Sequence, residues 1–295
     1  MLLTAPAATR PLPGAASNDR LFAGWSAATA ASALFLLGAG GMVTSTGSGL
    51  AVPDWPLSFG QVMPRMTGGV FYEHGHRLVA GVVALMSLTQ AVLSLREGVP
   101  VEARAACRWA AGLIVVQALL GGLTVLMRLP PAVSISHACL GQAVFCLLLA
   151  SAVCSTGGYL SLPRDQKAAR TFVLAGLAFG AAFLQLALGA LLRHAGAAAP
   201  LHVLWALAVL LLAAAAAFTA LRRGPASLRG AALIVAVVVP AQLALGLLAF
   251  RVRYDATYLL DFRAAALWRT AHLVGGAATL GALLVLALRA RRLAR

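Results

Sequence analysis

Eight apolar stretches, each about 20 residues long, limit this chain to a fold whose solvent is largely lipid. They lie at about 23–45, 72–95, 106–128, 134–155, 170–192, 200–221, 229–250 and 267–288, with ends accurate to a few residues. Of the 295 residues, 61% are hydrophobic and 11% charged, more apolar surface than a water-soluble fold of this length can hide. The expected fold class is an all-α integral membrane protein with eight transmembrane helices.

The net charge of +15 invites a nucleic-acid reading, and its distribution argues against one. Fifteen of the 23 Lys and Arg residues fall in five clusters at alternate ends of the spans, from Arg10 and Arg20 through Arg96, Arg104 and Arg108 to Arg289, Arg291, Arg292 and Arg295. Positive residues mark cytoplasmic loops, so both termini are expected in the cytoplasm, as an even number of spans requires. The basicity is a topology signal, and the partner it implies is membrane lipid, not nucleic acid. Residues 1–22, with Pro6, Pro11 and Pro13, read as a disordered cytoplasmic tail without the apolar core of a signal peptide. Cys107, Cys139, Cys146 and Cys154 form no CxxC or CxxCH motif, so neither a disulfide framework nor covalent haem attachment is indicated.

A repeat organises the chain. Gln117-Ala-Leu-Leu-Gly121, Gln185-Leu-Ala-Leu-Gly189 and Gln242-Leu-Ala-Leu-Gly246 lie in the third, fifth and seventh spans. Each leads through an arginine (Arg128, Arg193 or Arg251) and a loop into a span opening with His137, His202 or His272. The first span departs from the pattern but leads likewise to His76. The expected arrangement is two pseudo-symmetric four-helix bundles, residues 23–160 and 161–295, related by an axis along the membrane normal.

Imidazole inside a membrane is costly without a partner. His76, His137, His202 and His272, spaced by 61, 65 and 70 residues, recur near one end of every second span. One ligand per helix suits a flat metallo-macrocycle gripped between two helices, whereas structural zinc wants four clustered ligands. All four are therefore candidate haem-iron ligands, in two pairs, and filled axial positions favour electron transfer over oxygen binding. Ala80, Gly141, Ala206 and Gly276, four residues further on, offer room on the same faces. Glu73, three residues before His76, projects from the same face and is a candidate acid, base or stabiliser of a developing cation. Its alternative reading is a solvated carboxylate at the helix mouth paired with Arg77; Arg77 itself is a candidate partner of Glu73 or of a haem propionate. His74 and His194 read as boundary residues off the pattern. Residues 46–71 read as a folded loop over the bundle mouth, and 251–266 as a second long loop whose Arg251, Arg253 and Arg263 are candidates for anionic groups.

Glu73-His-Gly-His76-Arg77, with Thr46-Gly-Ser-Gly49, Asp54-Trp-Pro56 and the later His137, His202 and His272, resembles the haem A synthase family (Cox15/CtaA) over about residues 24–288. That resemblance implies an oxidoreductase that converts the C8 methyl of haem O to the formyl of haem A for cytochrome oxidase. It implies a substrate haem held by His76 and His137, with Arg77 beside it, and a cofactor haem b held by His202 and His272. It makes Glu73 the catalytic glutamate, the bacterial inner membrane the location, and haem O synthase and cytochrome oxidase assembly factors the partners. One departure is visible: Val52-Pro-Asp-Trp-Pro-Leu-Ser58 lacks the cysteine pair many bacterial relatives carry in this loop. Two other classes stay open, a diheme b-type electron-transfer protein and a haem carrier that performs no chemistry.

Overall fold

The computed structural model describes residues 19–254 and 261–295. Eight long helices carry the chain back and forth: α1 (Arg20–Ser45), α2 (Gly69–Leu93), α3 (Val101–Leu126), α4 (Pro131–Cys154), α6 (Ala169–Ala195), α7 (Ala199–Arg223), α8 (Arg229–Tyr254) and α9 (Phe262–Ala294). A one-turn helix, α5 (Gly157–Leu160), lies in the connection between α4 and α6. Each long helix is apolar enough and long enough to cross a bilayer, which makes the protein an integral membrane protein. Leu85, Leu204, Val237 and Trp109 are 67–70% exposed, as residues facing lipid are.

Local signals set the helix ends. Asp19 caps α1, accepting from Phe22 N at 3.0 Å, and Asp261 caps α9, accepting from Arg263 N at 2.9 Å. Pro131 opens α4, and Gly196 ends α6 at φ 67°, a left-handed value that glycine adopts without penalty. Two expectations change here. Of the expected tail 1–22, residues 1–18 lie outside the described residues, while Arg20, Leu21 and Phe22 form the first turn of α1 with Phe22 buried. The long loop expected at 251–266 is shorter, because α8 runs to Tyr254 and α9 starts at Phe262; Asp255 and Tyr258 lie outside the described residues. Those two helices run beyond the apolar spans, so His272 is the eleventh residue of its helix, not within its first turn or two.

Helix contacts trace two closed circuits. α1 packs on α2 and α4, and α3 packs on the same two; α6 packs on α7 and α9, and α8 packs on the same two. The histidine-bearing helices, α2 with α4 and α7 with α9, therefore stand diagonally across their circuits. α1 and α4 join the two circuits by packing on α9, and α4 also packs on α6. Along that seam Leu280, Leu283 and Leu286 are fully buried, and Gly281 admits Phe145 and Leu149 from α4. Alanines such as Ala175, Ala178, Ala213 and Ala216 let α6 and α7 approach closely, which is how membrane helices gain packing where apolar burial gives no advantage over lipid. Polar side chains add interhelical bonds: Gln90 Nε2 donates to Ser26 Oγ and Ser151 Oγ, both at 2.9 Å, linking α2 to α1 and α4.

Candidate haem-binding site

Each of the four histidine rings lies against a glycine of a neighbouring helix. A Cβ placed on Gly40, Gly121, Gly189 or Gly246 would stand 3.0–3.1 Å from Cε1 of His76, His137, His202 or His272 respectively. A side chain at these positions forces the ring to move, which explains the glycine of the Gln-x-x-x-Gly repeat. Its glutamine reaches the same histidine. Nε2 of Gln117, Gln185 and Gln242 donates to the backbone carbonyls of His137, His202 and His272 at 3.0, 2.9 and 2.9 Å. Gln242 Nε2 also lies 3.0 Å from His272 Nδ1. α1 has Leu36 where the other three helices have glutamine, so His76 alone lacks this tether.

The two glycines four residues after a histidine, Gly141 and Gly276, both face the glutamine of the neighbouring helix. A Cβ on Gly141 would meet Gln117 Nε2 at 2.9 Å, and one on Gly275 would meet Gln242 Oε1 at 2.2 Å. Gly141 and Gly275 admit the glutamine amide.

Across the α6–α9 circuit, the His202 and His272 ring centroids are 6.5 Å apart with planes at 89°. Two imidazoles bound to opposite faces of one iron, with metal–nitrogen bonds of about 2 Å, have centroids roughly 6 Å apart at any rotation about the common axis. The pair fits that requirement. Nδ1 of His76, His137 and His202 is buried on the glycine side without a hydrogen-bond partner, while Nε2 of His137 and His202 lies 3.5 and 3.4 Å from Nε2 of Gln117 and Gln185. His76 and His137 stand on the diagonal helices α2 and α4.

Glu73 and Arg77 sit together, but not as a solvated pair. Glu73 is 3% exposed; Oε1 accepts from Arg77 Nη2 at 2.6 Å and Oε2 from Val52 N at 2.8 Å. Arg77 Nη1 donates to the carbonyls of Asp54 and Leu57 at 2.7 and 2.9 Å. The pair thus fastens the 46–68 connection across the mouth of the first circuit. That connection is folded, as expected. Asp54 accepts from Phe59 N and Gly60 N at 2.7 and 2.8 Å, and these bonds, Gly60 first, hold its carboxyl below the ordinary 3.8. The Trp55 ring lies over Gly122 of α3, where a Cβ would fall 2.6 Å from Cδ2. His74 is buried, with Nδ1 2.8 Å from Ser58 Oγ. The role of the connection in positioning it could not be read from the sequence, because Ser58 meets it only once residues 46–68 fold back.

Diagonal histidine helices and a glycine cradle for each ring mark a polytopic membrane protein whose paired histidines are candidate metal ligands. A family model described as cytochrome oxidase assembly protein, COX15-CtaA, matches residues 23–202. The chain belongs to that family. It is 37% identical to the heme A synthase of Bacillus pumilus over 95 residues, 31% of each protein. It is 34% identical to the heme A synthase of Alkalihalophilus pseudofirmus over 116 residues, 38% of this chain and 39% of that protein. A protoheme IX farnesyltransferase of Haloarcula marismortui is 36% identical over 129 residues, 44% of this chain and 27% of that protein. The chain thus spans between 27% and 39% of the length of these curated relatives. The family match ends at His202, and it is the geometry of Gln242, Gly246 and His272 that extends the pattern to α8 and α9.

Proposed function

We propose that the protein is a haem A synthase, an oxidoreductase converting the C8 methyl group of haem O to the formyl group of haem A for cytochrome oxidase. The observation that carries this reading is the His202–His272 pair, 6.5 Å apart across the diagonal of its four-helix circuit. Haem b bound there supplies one-electron redox chemistry. Gln185 and Gln242 fix the helices that present the two rings, and Gly189 and Gly246 let the rings turn into the gap. In the first circuit His76 and His137 hold the substrate haem. The Val52–Ser58 stretch, fastened by Arg77, limits access of water from the loop side. Glu73, one turn from His76, stabilises positive charge developing at the methyl carbon. The two circuits, with boundaries near residue 160, are the two pseudo-symmetric halves of this scheme. Haem O synthase and oxidase assembly factors are the partners it implies. The location is the bacterial inner membrane with both termini cytoplasmic, supported by 14 basic residues, among the described ones, near the helix ends away from the histidines.

A diheme electron-transfer protein is the second reading. One observation favours it: both Glu73 oxygens are already engaged, by Arg77 and Val52 N, which gives the carboxylate a structural task. Expression in cells that make haem O but lack their own haem A synthase separates the two. Mass identification of every tetrapyrrole in the membranes should show haem A or a hydroxylated haem O with the wild-type chain and neither with Glu73→Ala. Unmodified haem b and haem O alone in the wild type would contradict the synthase reading.

A further inference from the structure

Two arginines flank the His202–His272 pair, and neither faces an acid. Arg193 follows Gly189, the cradle of His202, by four residues, and Arg269 precedes His272 by three. Both spacings put the arginine on the site's side of its helix, one turn nearer the histidine end of the bundle. The two guanidiniums converge on the last residue of α1. Arg193 Nη2 donates to Ser45 Oγ at 2.8 Å and Gly41 O at 3.1 Å, and Arg269 Nη2 donates to Ser45 O at 3.1 Å. Among the described residues the ion pairs are Arg77–Glu73, Arg96–Asp19 and Arg295–Glu102, so this double positive charge is unbalanced. Capping the α1 carbonyls also leaves donors over. Arg269 Nε goes to Ala265 O at 3.1 Å, but Nη1 of both arginines and Nε of Arg193 have no acceptor among the described residues. Two half-buried cations beside a site are costly unless an anion completes them.

In the first circuit the same places, four after the cradle glycine of the first helix and three before the histidine of the fourth, hold Thr44 and Ser134. Neither is charged.

We propose that Arg193 and Arg269 form an anion clamp for the two propionate carboxylates of the haem held by His202 and His272. Guanidinium is suited to this because its planar fork meets a carboxylate through paired N–H donors. The proposal rests on the haem reading of those two histidines. It gives a physical reason for one haem to stay and the other to turn over: the first circuit has the imidazoles without the clamp.

The test uses the full-length protein stripped of tetrapyrrole and titrated with haem b or with haem b dimethyl ester, in which both carboxylates are capped. Binding is followed by the Soret band, and release by transfer to apomyoglobin. The free acid should be held on the order of a hundredfold more tightly than the diester, with each charge-assisted contact contributing about tenfold. The Arg193→Gln/Arg269→Gln double variant should lose most of that preference while keeping diester affinity. Equal binding of acid and diester by the wild type would overturn the clamp, with no substitution involved and so no question of misfolding. Retention of the full preference by the double variant would overturn it too. A missing bis-imidazole spectrum with either ligand would instead overturn the histidine reading beneath it.

Discussion

Removing one member of a buried ion pair costs more than removing both, because it strands the remaining charge. Arg77→Met leaves Glu73 buried with only Val52 N for company, and should destabilise the folded protein by about 3 kcal/mol. Glu73→Gln/Arg77→Met should recover a substantial part of that loss, which thermal unfolding in detergent can measure as a double-mutant cycle. The Glu73–Arg77 pairing was legible from its four-residue spacing. The Val52 and Asp54 contacts were not, since they join residues more than 20 apart in the chain through a folded connection. Asp54 makes a pH statement of known sign. Its carboxyl is held below 3.8, so its contribution to loop order is complete above that value and is lost as pH falls through the lower, folded-state value. Protease resistance of the 46–68 connection should therefore be unchanged from pH 7 to pH 5 and decline only below about pH 4.

Between helices, a glycine, a glutamine and a histidine act as one unit. Gly246→Val should displace the His272 ring, because even its Cβ would come within 3.0 Å of Cε1. The expected result is loss of at least nine-tenths of the tightly bound haem with little change in helix content, read by the Soret band and far-ultraviolet circular dichroism. Gln-x-x-x-Gly stood out in the sequence as a repeat, yet its task did not. Each glutamine meets a histidine 17 to 30 residues away on the next helix, and nothing in the local pattern states that pairing. The spans themselves were legible to within a few residues except at α9, where polar residues lengthen the helix at both ends beyond the apolar run. Arg269 went unnoticed inside the expected span 267–288, although its position three before a candidate ligand was there to be seen.

For the whole molecule, eight crossings put the start of α1 and the end of α9 on one side of the bilayer, with the 46–68 connection on the other. In a background without the four native cysteines, Gln61→Cys should react with a membrane-impermeant thiol reagent in right-side-out vesicles, and Ser161→Cys only after inversion. The class of fold was readable because bilayer thickness turns composition into helix length. The diagonal placement of the histidine helices was not, since it depends on which neighbours each helix packs against. The central claim is that one haem iron lies between His202 on α7 and His272 on α9. Electron paramagnetic resonance of the purified, haem-loaded protein tests this most directly. A low-spin bis-imidazole ferric signal is expected in the wild type, with one such haem lost when either His202→Ala or His272→Ala is introduced. Survival of the full signal in both variants would contradict it.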